Sequence, residues 1–115
     1  MVRATRSKVR EKIARYWPDE DPEAIMSVLN EYGIESWEGW RTRVYLAILK
    51  LSEGDKDRLP GLVKMAKADY RDVLAYAEYP EEMRTDVLEF RKLSREEAQA
   101  IRQRDREQYL AWLEE

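Results

Sequence analysis

The sequence predicts an all-α fold, a single-domain bundle of five or six short helices, and three observations predict it. The 115 residues are rich in Leu, Ala, Glu, Arg and Lys but hold only four Gly and four Pro, a composition that favours helix over sheet. Apolar residues recur at three- and four-residue spacing in successive segments, the signature of one helical face turned to a core. One run, Val44 to Leu51, is apolar at nearly every position, so a helix there is buried on most sides and belongs at the centre. A chain of this length fits one domain and buries roughly two-thirds of its unfolded surface. We place the core at about residues 21–80 and read 81–115 as a C-terminal helical extension.

The first helix runs through Val9, Ile13, Tyr16 and Trp17, and Pro18 ends it because the residue before a proline is pushed out of the α region. The second has Asp21 as its cap, Pro22 at the first helical position, Ile25, Val28, Leu29 and Tyr32 on one face, and Gly33 as its stop. Ser36 is the expected cap of a third helix, whose inner face would read Trp37, Trp40, Val44, Ala47, Ile48 and Leu51. Gly54 ends it. Asp55 or Asp57 caps a fourth helix, which tolerates Pro60 in its first turn and turns Leu59, Leu62, Val63 and Ala66 inward. Asp69 caps a fifth, with Tyr70, Val73, Leu74 and Ala77 inward and Pro80 as its end. Met83, Val87, Leu88 and Phe90 suggest a short helix or ordered connector. Ser94 and Glu97 then form a capping box for a last helix reaching about Leu113. Between Ile101 and Tyr109 that helix is wholly polar, so it either projects or packs only through Ala98, Ile101, Tyr109, Trp112 and Leu113.

The block Arg43-Val-Tyr-Leu-Ala-Ile-Leu-Lys-Leu-Ser-Glu-Gly-Asp55, followed by Asp69-Tyr-Arg-Asp-Val-Leu-Ala-Tyr-Ala-Glu-Tyr-Pro80, resembles a group of small uncharacterised bacterial proteins with LAxLKLSxGD and DYRDVLAxAEYP segments. The resemblance spans roughly residues 30–82. It implies a bacterial, cytosolic, all-helical protein and carries over no site. The residues agree with a cytoplasmic reading. There is no cysteine, the N-terminus lacks the apolar stretch of a secretory signal, and no window approaches the 18 apolar residues of a membrane span.

Chemistry is narrowly bounded. Without histidine or cysteine, the Ser-His and Cys-His nucleophile pairs and the usual zinc ligand sets are excluded within one chain. Carboxylates gather at Asp19-Glu20-Asp21-Glu23, at Glu53/Asp55/Asp57, at Asp69/Asp72 and at Glu78/Glu81/Glu82, each beside an expected helix end where the macrodipole or a cap accounts for them. The Glu53-x-Asp55-x-Asp57 spacing opens like a calcium loop, but Arg58 stands where glycine is needed and Lys64 where the bidentate glutamate belongs. No glycine-rich phosphate loop occurs. We therefore expect no enzyme, no cofactor, no metal and no small-molecule substrate.

Charge is uneven. Residues 1–17 hold six basic residues and one acid, and residues 18–38 hold seven acids and no base. Arg3, Arg6, Lys8, Arg10, Lys12 and Arg15 are thus a candidate nucleic-acid contact, since phosphate neutralisation needs only clustered positive charge. A helix-turn-helix with Gly33 in its turn would present Glu35 and Glu38 to phosphate, the wrong sign. The leading expectation is a protein-protein interaction module that self-associates or binds another protein. Its candidate surface is Arg71, Tyr76, Tyr79 and Trp112, because Tyr76 and Tyr79 fall off the inner face of their helix and Trp112 ends a charged one. Arg43 and Arg71 are expected to pair with Asp72 or Glu78.

Overall fold

The computed structural model describes residues 5–115; Arg3 lies outside them. The chain runs through α1 (Arg6–Tyr16), α2 (Pro22–Leu29), α3 (Arg41–Ser52), a 3-10 turn (Lys56–Arg58), α4 (Leu59–Ala68), α5 (Tyr70–Glu78), α6 (Pro80–Arg84), α7 (Val87–Lys92) and α8 (Arg95–Glu114). No strand occurs among the described residues, so the fold is all-α. Among the described residues no helix is long and apolar enough to cross a membrane.

α3 is the axis of the bundle. Val44 to Leu49 are all buried, and α1, α4 and α5 pack around them. The side chains that meet this axis are those the spacing places inward: Val9 and Ile13 from α1, Leu29 from α2, Leu59, Val63 and Ala66 from α4, and Val73, Leu74 and Ala77 from α5. Local chemistry sets the ends. The side chains of Asp21, Asp69 and Asp86 accept from backbone N–H groups two residues on, at 3.0, 3.0 and 2.8 Å. Ser94 and Glu97 close their capping box reciprocally at 3.1 and 3.2 Å.

Two expectations are corrected. The third helix starts at Arg41, not after Ser36, and residues 34–40 form an irregular loop. Trp37 and Trp40 are consequently 66% and 62% exposed instead of lining the core. Ser36 has Gly39 three positions on, where a capping box needs Glu or Gln. The nearby Glu38 carboxylate serves other donors, described below.

The second is Trp112, expected on the candidate surface: of the two alternatives for the C-terminal helix the packed one holds, and its last turn docks into the core. Trp112 and Leu113 are 8% and 3% exposed. The Trp112 indole donates to the Tyr16 hydroxyl at 2.7 Å. The ammonium of Lys12, itself 2% exposed, donates to the Trp112 carbonyl and stands 4.5 Å from the indole centroid. The polar middle of α8 is also engaged. Asp105, 1% exposed, accepts from the backbone N–H of Glu81 at 2.8 Å and of Glu82 at 3.1 Å, capping α6 from outside, while Arg104 chelates the Glu81 carboxylate. The radius of gyration is 15.0 Å, against about 13 Å for a sphere-like domain of this size, which fits the 20-residue α8 running along one side.

Candidate protein-interaction surface

The loop between α2 and α3 is built around one buried carboxylate. Oε1 of Glu38 accepts from the backbone N–H of Gly33 at 2.9 Å and of Ile34 at 3.1 Å, and Oε2 accepts from Lys67 Nζ at 2.9 Å. These donors hold the Glu38 carboxyl below the usual carboxylate range, the Lys67 hydrogen bond contributing most. Three further bonds tie the loop down. The Tyr32 hydroxyl donates to the Gly39 carbonyl at 2.6 Å, Arg41 donates to the Gly33 carbonyl at 2.9 Å, and the Tyr45 hydroxyl reaches Asn30 Oδ1 at 2.7 Å. Gly33 has φ 94°, a left-handed conformation that favours glycine, and a Cβ there would also require the Arg41 side chain, 2.5 Å away at Nε, to shift.

Ile34, on the same loop as the two tryptophans, is 70% exposed. Trp40 is held in the left-handed region at φ 54°, ψ 36°, at the start of a helix with no side-chain cap. Such a conformation costs an aromatic residue on the order of 1–3 kcal/mol and persists only where its surroundings enforce it. The Arg43 guanidinium lies 5.4 Å from the Trp40 ring centroid and is clamped by both carboxylate oxygens of Glu78, at 2.7 and 2.5 Å. The expected Arg43–Glu78 pair is therefore present. Trp37 borders a hollow with Tyr70 and Arg71, and Arg71 is chelated by its neighbour Asp69 at 3.0 Å.

The four sequence-derived interface candidates separate. Arg71 is exposed at the N-terminal end of α5, beside Trp37. Tyr76, 47% exposed, lines an apolar groove of about 330 Å³ with Leu51, Leu62, Met65, Pro80 and Met83. Tyr79, 40% exposed, borders a wider groove of about 1030 Å³ between α5, α6 and α8, with Gln103, Arg106, Tyr109 and Leu110. Trp112 is internal and leaves the candidate surface. Ile34, Trp37 and Trp40 replace it. They are missed from the sequence because their spacing continues the α3 face; the signal against that reading is Gly39, directly before Trp40.

Among the described residues, the basic side chains of α1 are partly engaged. Lys8 pairs with Glu11 and Arg10 with Glu23, each at 2.8 Å, and Lys12 is buried, while Arg6 and Arg15 are exposed. Among the described residues no three acidic side chains converge on a metal-sized site. Comparison with protein-family models, curated proteins and solved structures finds no match.

Proposed function

We propose that this chain is a small non-catalytic protein-interaction module, acting in the cytoplasm, whose binding surface centres on the loop 34–40 and the neighbouring Arg71, with the grooves lined by Tyr76 and Tyr79 as separate contact sites. The observation that carries this reading is a braced loop presenting Ile34, Trp37 and Trp40 at 70, 66 and 62% exposure. Apolar side chains grouped and held in one conformation lose little further entropy on docking, and Trp, Tyr and Arg dominate the energetic centres of protein interfaces.

The test is retention on immobilised protein. The wild type and an I34S/W37S/Y76S variant are each challenged with a cell lysate and, separately, with soluble copies of the chain. Retention of a protein by the wild type, reduced tenfold or more in the variant, supports the reading. Equal retention by both, or none by either, contradicts it.

A further inference from the structure

The loop 34–40 exposes Ile34, Trp37 and Trp40, and the same chain carries an apolar groove elsewhere on its surface. The groove of Leu51, Leu62, Met65, Tyr76, Pro80 and Met83 lies where the C-terminal end of α3 meets α4, α5 and α6. Trp40 precedes the first residue of α3 and Leu51 is the last but one, so the two features are separated by about 16 Å of helix. The groove holds about 330 Å³, room for a side chain of indole size, and aromatic side chains are the ones that gain most from such burial. One residue of opposite sign stands at each feature. Exposed Glu35 stands next to Ile34 on the loop, Arg84 lines the groove, and neither has an ion-pair partner among the described residues.

Resting on the interaction-module reading, we propose that the occupant of the groove is a second copy of this chain, which inserts Trp37 of its loop with Glu35 facing Arg84. The two surfaces differ, so the contact is head-to-tail: a pair leaves one loop unused on one copy and one groove unused on the other, and association continues into short chains or a ring. An isologous two-fold dimer is a different arrangement with a different signature.

Mixing variants separates them. Trp37→Ser removes the inserted ring and Met83→Glu places a carboxylate in the groove; both positions are exposed, and thermal melts of each variant confirm that it is folded. Ile34→Ser and Tyr76→Ser serve as second variants where either of the first pair melts early. The weight-average mass of the wild type should climb with concentration above the 13.8 kDa of one chain and pass that of a dimer. Each variant alone should associate about 30-fold more weakly, the effect of removing an interface residue worth ~2 kcal/mol. An equimolar mixture should yield a species of twice the chain mass that grows no further, because the intact loop of one variant meets the intact groove of the other. Self-association of the wild type with no rescue in the mixture overturns the head-to-tail contact and leaves the interaction-module reading intact. A monomer at every soluble concentration overturns self-recognition, and lysate retention then decides the broader reading separately.

Discussion

Trp112 and Lys12 show how a single pair of side chains decides where a helix goes. The indole fills a site against α1, its N–H satisfies the Tyr16 hydroxyl, and its ring faces the buried ammonium that binds its own carbonyl. Burial pushes the Lys12 amine below its usual value. Trp112→Ala is expected to destabilise the protein by about 3–5 kcal/mol in denaturant unfolding, the range for truncating a buried aromatic. Trp112→Phe keeps the ring and loses the hydrogen bond, and should cost about 1 kcal/mol. Neither residue declares its role in the sequence. A tryptophan at the end of a charged helix reads as surface, and a lysine on α1 reads as solvated, because their partners lie 100 residues apart. The loop residues make a second prediction. Glu38 titrates below its unfolded value, so its stabilising contribution is complete above the ordinary carboxylate range and is lost as pH falls through the lower folded value. Tyr32 behaves oppositely: burial, then the Glu38 charge, push its hydroxyl up to about 12, so its contribution is complete below pH about 10 and lost as pH rises towards 12. Thermal melts of Glu38→Gln and Tyr32→Phe should show the acid and alkaline limbs flattened respectively; unchanged limbs would contradict these assignments.

At the scale of elements, the helices legible in the sequence are those whose ends carry their own chemistry. Asp21-Pro22, Asp69 and the Ser94/Glu97 box mark helix starts within a few residues, and these caps appear as expected. The start of α3 is misread because its flanking tryptophans keep the helical spacing while Glu38, a residue with no local signature, gathers backbone donors into a loop. The docking of α8 is illegible for a related reason: its middle is anchored by one buried carboxylate among charged neighbours. Asp105 supplies the N-terminal cap that Tyr79 cannot give α6. Asp105→Ala should therefore destabilise the fold by roughly 1–3 kcal/mol, leaving two partly buried N–H groups without an acceptor. Amide exchange locates the effect, with Glu81 and Glu82 losing protection first. Protection lost uniformly along the chain would mean that Asp105 supports the whole core instead of the α6–α8 junction.

Across the whole molecule, the division between inside and outside is carried by the four tryptophans. Trp17 donates its indole N–H to the Gly54 carbonyl at 2.9 Å and Trp112 to Tyr16, while Trp37 and Trp40 are turned to solvent on a braced loop. The all-α bundle and its central helix follow from composition and periodicity. The exposure of the 34–40 loop does not, because a helical face and a solvent-facing loop share the same spacing when a buried carboxylate interrupts the backbone between them. The most direct test is the set of four indole N–H resonances, assigned by substitution and followed by NMR as the chain is concentrated and as any protein it retains is added. The Trp17 and Trp112 signals should exchange slowly with water and stay fixed. Those of Trp37 and Trp40 should exchange fast and shift or broaden on binding. Movement of the Trp17 or Trp112 signals, with those of Trp37 and Trp40 unchanged, would contradict the placement of the binding surface on the 34–40 loop.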